Sequence, residues 1–477
     1  MKAPFSTYLN SISGAMKELV ELLRPDYDYV SVLSTDSPGL TLVCSRAGRQ
    51  ASHSTMTTER GNVVRVYRDG LYSEYAFNDF DRDDIPALAG RIRKELDAQM
   101  ELLKLTGTEV YETGVLSDEE KELFVEKETA VLPEKADVRE IMELLEEITR
   151  KGLEASDEIV ETILRAQSTH ISKMFITPNR YLRQSYVYSE AMAAVIAARD
   201  GRNRMAYEAV SGCRGPEMFR DLLDKVDRAA DTAVKMLDAE PVPAGTYDII
   251  TAPDVIGLIA HEAFGHGVEM DMFVKHRAIA ADHMGQRVGS DLVTMHEGAL
   301  CDESVTAYAF DDEGTLAGDV TEIDRGILKA GICDALAAER LGIEPTGNGK
   351  RQNFAHKAYT RMTNTVFDSG SDSLDDMIAS IEHGYLLQGM DSGMEDPKHW
   401  GIQCIVSRGY EILNGRLTGK MVAPVVLTGF VPDLLKSVSM ASTDRVIEGN
   451  GGCGKGHKEW VKVADGGPYL KARARLG

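Results

Sequence analysis

The chain has 477 residues, too many for one small core, and its 43% apolar and 27% charged residues are those of a globular protein built from two or three domains. With 53 basic against 76 acidic residues the net charge is −23, which argues against a general nucleic-acid binder. No apolar run reaches the roughly 18 residues of a membrane span, and the N-terminal stretch lacks the apolar core of a signal peptide.

In chain order, residues 8–24 carry apolar positions at helical spacing and stop at Arg24-Pro25, where proline disfavours continuation. Four stretches then alternate β-branched or aromatic with polar residues: "YDYVSVLSTD", "LTLVCSR", "VVRVYRDG" and "YSEYAFND". Separated by Gly, Asp and Pro, they read as antiparallel strands. A long helix is expected at about 85–104, and a second, highly charged one within 117–167, where "DVREIMELLEEITRKGLEAS" spaces its apolar residues three and four apart. Strands resume over 169–212, and a helix is expected at about 216–238.

Two prolines and a glycine in "AEPVPAGTY" make the best linker in the chain. The expected organisation is therefore an N-terminal α+β domain, 1–238, subdivided near 105–115, and a C-terminal domain, 241–477. In the second half helices are expected at 326–342 and 373–384, and mostly strands and turns over 401–447. The six cysteines are scattered with no Cys-x-x-Cys pair, which suggests reduced thiols and a cytoplasmic home.

The segment "GLIAHEAFGHGVEMD", 257–271, contains His-Glu-x-x-x-His, one residue longer than the helical zinc motif. Residues four apart on an α-helix lie about 40° apart around the axis, and five apart about 140°, so a regular helix cannot offer His261 and His266 to one ion. A single π-type turn, or a distortion at Gly265, would bring them together. Glu262 then stands where a general base belongs, and Glu269 and Asp271 are candidates to orient the imidazoles or to ligate. The competing reading is two histidines capping a buried helix end. His276, His283 and His296 fit surface or hydrogen-bonded roles better than ligation.

A catalytic zinc needs three protein ligands and an open position. "EGNGGCGKGHKEW", 448–460, sets Cys453 among glycines that let the backbone approach a metal closely. Lys455 is placed to depress the thiol pKa, and His457 is a competing ligand. A flexible loop with an incidental thiol is the alternative.

Together, "HEAFGHGVEMD", "RMTNT" (361–365) and "CGKG…GGPYLK" resemble the TldD/PmbA family of zinc-dependent peptidases, over most of the chain. The histidine segment matches the TldD side; PmbA (TldE) relatives share the shape without it. The resemblance implies an α+β fold in two domains, antiparallel strands with charged helices in the N-terminal half and a strand-rich catalytic half after it. It implies zinc (Zn2+) on His261, His266 and Cys453, with Glu262 as general base. It further implies a dimer, with a PmbA (TldE)-type paralogue or a second copy, and unfolded or flexible peptides as substrates. No direct contact with nucleic acid or membrane is expected. The rival from another class is a non-catalytic, peptide-binding subunit whose metal is structural. "RMTNT" and the later strands are also candidates to pair with an extended peptide by β-addition.

Overall fold

The computed structural model describes residues 1–106, 113–456 and 459–477. Helix α1 (Thr7–Leu23) buries Leu9, Ile12, Met16, Leu19 and Leu23, three or four residues apart, and Ser6 caps it by accepting from the Leu9 N–H. It ends one residue before the expected stop, in a 3-10 turn at Arg24–Asp26. Beside it lies α2 (Ile85–Thr106), and both pack on Val32, Val64, Val66 and Met174 of a nine-stranded sheet. The expected subdivision near 105–115 falls largely on 107–112, outside the described residues.

That sheet consists of the four expected strands, Gly48–Ser52, the parallel edge pairing of Lys121–Glu126, and a meander of Ile159–Ile176, Arg180–Arg199 and Arg202–Gly212. The meander begins ten residues earlier than the sequence pattern suggested, because Thr162, Leu164 and Ala166 already alternate inward. Helices α3 (Val138–Glu154) and α4 (Val226–Lys235) cover Leu164, Ala193 and Val195. The expected helix at 216–238 is thus α-helical only in its middle, flanked by 3-10 turns at Pro216–Leu222 and Met236–Asp238. The opposite face of the meander turns toward the C-terminal half, where Tyr207 donates to the Met390 carbonyl and Ser211 accepts from the Gly449 N–H.

The second sheet has eleven strands and begins at Gly245–Thr251. That strand pairs in parallel with His383–Asp396 and antiparallel with Ala464–Leu476. Gly401–Leu413 and Val425–Phe430 complete a ladder that closes on itself. The result is the α+β architecture the sequence led us to expect, built on two large sheets. Of the two later helices, only Ala335–Leu341 and Leu374–Ala379 form. Asp334 caps the first by accepting from the Ala337 N–H, and Gly326 at φ +77 turns the preceding chain into a strand pair instead. No helix among the described residues is long and apolar enough to cross a membrane.

Helix α5 (Pro253–Ala260) brings the histidine segment to this sheet. Proline occupies its first turn, and Val255, Ile256, Leu258, Ile259 and Ala260 are all buried, so the helix is held on every side against the strands around it.

Candidate metal centre

After Ala260 the helix widens. His261–Gly265 is a π turn in which the His266 N–H donates to the His261 carbonyl, five residues back. The extra residue rotates His266 onto the face of His261, and the two rings meet edge to face with centroids 5.1 Å apart. Gly265 serves a different purpose from the one its position suggested. Its backbone is ordinary helix (φ −54, ψ −57), but a Cβ there would lie 2.1 Å from the Met362 sulfur. The glycine admits a packed side chain and does not break the helix.

Cys453 arrives from the opposite end of the sequence on a two-stranded hairpin, Gly452–Lys455 with Glu459–Lys462. The buried Arg361 guanidinium donates to the Cys453 carbonyl (2.6 Å) and to the Glu459 carbonyl (3.0 Å), tying both arms to the sheet. The Cys453 Sγ then lies 3.3 Å from His266 Nε2, and one ligand atom each from His261, His266 and Cys453 falls within 4.8 Å of the others. For a tetrahedral zinc with sulfur and nitrogen ligands the S···N edge is about 3.5 Å. This donor set, one thiolate and two imidazoles, therefore fits such an ion. His261 Nδ1 is buried without a hydrogen-bond partner, 3.9 Å from Asp465.

The surroundings favour the thiolate form of Cys453. Burial pushes the Cys453 thiol up, yet the neighbouring His261 and His266 charges pull it well below its ordinary value. Lys455 does not act on the thiol as expected: its ammonium is engaged by Asp271 (2.7 Å) and Glu269 (3.1 Å). Burial works against the charged form of His266, but Glu269 and Cys453 raise it. His266 Nδ1 donates to Glu269 at 3.1 Å, which turns Nε2 toward the thiol. Burial raises the Glu269 carboxyl, and Lys455 and His266 bring it down to about 2. Asp271 holds Lys455 and Lys275 and is directed away from the cluster.

Glu262 is half-buried and faces the strand His383–Asp396. Gly393 leaves it room, since a Cβ there would lie 2.5 Å from Glu262 Cγ. Two strand residues on, and so on the same face, Glu395 lies against Gly267, where a Cβ would stand 2.8 Å from its Oε1, and burial pushes its carboxyl up to about 9. Neither Glu395 nor Asp465 stood out in the sequence, where only the period-two spacing of Gly393 and Glu395 could have hinted at one of them; Arg361 stood out as the first residue of "RMTNT", but not as the partner of the Cys453 strand.

The remaining candidates lie elsewhere. His283 stacks on Trp400, His296 sits between Asp319 and Asp368, and His276 adopts a left-handed backbone, φ +53. His457 lies outside the described residues. "RMTNT" offers no free edge for a peptide: Asn364–Phe367 is paired on one side with 464–466 and on the other with Met295–Glu297.

Residues 244–473 match the family model described as the PmbA/TldA metallopeptidase C-terminal domain. A metalloprotease of Methanothermobacter thermautotrophicus is 29% identical over 66% of this chain and 69% of its own. One of Synechocystis is 26% identical over 98% of each. A zinc metalloprotease TldD homolog of Saccharolobus solfataricus is 26% identical over 60% of this chain and 64% of its own. Among solved structures, TldE from Thermococcus kodakarensis superposes with a TM-score of 0.75 at 17% identity, over 97% of this chain and 100% of that one. A putative modulator of DNA gyrase from Thermotoga maritima gives 0.75 at 16% identity, over 98% and 100%. At such identities these two likenesses establish the fold.

Proposed function

This chain belongs to the TldD/PmbA family, and we propose from that premise that it is a zinc-dependent peptidase acting on unfolded or flexible peptides. The observation that carries the reading is the convergence of His261, His266 and Cys453, with Glu262 one residue from the first ligand. Three donors meet among the described residues, the number a catalytic zinc takes from the protein, which supports the catalytic reading.

When bound, zinc supplies Lewis acidity, polarising a peptide carbonyl and acidifying water. The chain's own residues do the rest. Glu262 takes the proton of the attacking water and passes it to the departing amine. Glu269 fixes the tautomer and plane of His266, and Arg361 fixes the strand that presents Cys453. The six unpaired cysteines fit a reducing, cytoplasmic setting. The fold shared with TldE supports assembly with a TldE-type paralogue or with a second copy.

Cleavage of an unstructured peptide by zinc-loaded protein, followed by mass spectrometry, tests the activity. Glu262→Gln should lower turnover at least about a hundredfold while the metal stays bound. Undiminished turnover in that variant would remove Glu262 from the role.

A further inference from the structure

Between the inward face of the meander and the root of the Cys453 hairpin lies a cavity of about 600 Å³, inside the roughly 300–1,000 Å³ range of ligand sites. The N-terminal half contributes Met56, Arg165 and Met192; the C-terminal half contributes Gly451, Gly452 and Trp460. Three of these are large apolar side chains left exposed: Met56 at 65%, Met192 at 36% and Trp460 at 46%. Exposed apolar surface gathered around one opening, where single scattered residues are the norm, marks a binding site. Gly451 faces it with nothing within 4 Å of where a Cβ would stand.

The charges of the cavity are unevenly satisfied. Lys462 is taken up by Glu190, across the two halves, and by the Gly451 carbonyl at 2.8 Å. Arg165, directly opposite Met192 in the strand register, has no carboxylate partner among the described residues. Its Nε and Nη2 reach only the Gln167 amide oxygen, at 3.1 and 3.3 Å in the amide orientation that satisfies both groups. In a chain of net charge −23 this opening is left locally positive.

We infer that this cavity is a side-chain subsite for the bound peptide, one that accepts an apolar residue and rejects a basic one. The inference rests on the peptidase reading. Gly452 lines the cavity and Cys453 follows it in the chain, so the wall begins one residue from the thiol. An extended peptide advances about 3.3 Å per residue, so one that follows the Gly451–Gly452 backbone away from the thiol comes to the cavity. The thioethers of Met56 and Met192 adapt to different apolar shapes. A lysine or arginine entering there meets Arg165 with no carboxylate free to receive it, because Glu190 is already engaged.

The test uses full-length Glu262→Gln protein and capped seven-residue Gly/Ser peptides, each carrying one Leu or one Lys scanned through every position. Binding is followed by the emission of Trp460, with Trp460→Phe as the control that must lose the signal. At one position the Leu peptide should bind about tenfold or more tightly than the Lys peptide. Arg165→Glu, on an exposed strand position, should raise Lys-peptide binding about tenfold. Leu and Lys peptides binding within twofold at every position would overturn the inference, as would no binding of the Leu peptide or no response to Arg165→Glu. The peptidase reading fails separately: selective binding with no cleavage by wild-type protein ends that reading and keeps the subsite, whereas cleavage without side-chain preference does the reverse.

Discussion

The Nε2 of His266 lies 3.3 Å from the Sγ of Cys453, across 187 positions of sequence. Two segments with no local reason to meet are held within ligand distance by Arg361 on one side and by a π turn on the other. Wild-type protein should carry about one zinc per chain, and both His261→Ala and Cys453→Ala should lose it. Elemental analysis of the three proteins, purified side by side, checks this; metal retained by Cys453→Ala would place the thiol outside the site.

Glu269 touches the ring of His266 and not the thiol, so its effect on metal is indirect. Replacing the carboxylate by an amide keeps the shape but weakens the hold on Nδ1–H. Glu269→Gln should therefore weaken metal binding about 10- to 100-fold without changing the saturated stoichiometry. Competition with a chelator of known affinity measures it, and an unchanged affinity would leave Glu269 with only its link to Lys455.

Gly265 gives a packing prediction. A methyl group there collides with the Met362 sulfur at 2.1 Å, inside a buried cluster that also contains Cys453. Gly265→Ala should destabilise the protein by about 1–3 kcal/mol and lower its metal affinity as the π turn shifts. Adding Met362→Ala removes the obstacle, so the double variant should recover part of both losses. Denaturant unfolding and metal titration of the three variants decide it; strictly additive losses would show that the two residues are not in conflict.

How much of this was readable beforehand follows from where each interaction is decided. His261, Glu262 and His266 share one turn, and helical periodicity alone required either a widened turn or a distortion at Gly265 if both rings were to meet one ion; the widened turn is the one that forms. Helix α1 was equally plain, because its stripe, its cap and its proline stop are all local. Lys455 was misread because its ammonium is claimed by Glu269 and Asp271, residues more than 180 positions away that the sequence cannot place beside it. Glu395 and Asp465 were missed for the same reason: a carboxylate on a strand is unremarkable until the neighbouring element is known. At 326–334 a local signal was overruled, since two glycines and the Asp334 cap delay a helix that apolar spacing alone would start early.

Away from the metal centre, His296 carries a pH-dependent contribution. Its hydrogen bond with Asp368, joined by that with Asp319, outweighs burial and lifts its pKa to about 9, from an ordinary value near 6.5. A pKa raised in the folded state stabilises fully below the unfolded value and is lost as pH rises through the folded one. Allowing for solvent screening of the two half-exposed carboxylates, the loss between pH 6.5 and 9.5 should be on the order of 1–2 kcal/mol. In His296→Gln that part of the decline should vanish, which unfolding free energies measured at both pH values will show.

The two halves are joined by a buried ionic chain. Arg65 donates to Glu74 (2.7 Å) within the N-terminal sheet and to Glu313 (2.5 Å) across the boundary, and Arg351 reaches back from the other half to Glu74 (2.9 Å). Burial raises the Glu74 carboxyl, but Arg65 and Arg351 hold it well below the usual carboxylate range. Glu74 therefore remains charged, whereas burial raises the Glu313 carboxyl against the pull of Arg65. Removing Arg65 leaves Glu313 with a side chain 1% exposed and no guanidinium opposite. Arg65→Met should cost about 3–5 kcal/mol, most of it the cost of an uncompensated carboxylate. Arg65→Met combined with Glu313→Gln should restore part of that loss, because the stranded charge is gone. Chemical denaturation of wild type and the two variants tests the account: equal destabilisation in both would mean that Arg65 acts through packing and not through the charge it faces.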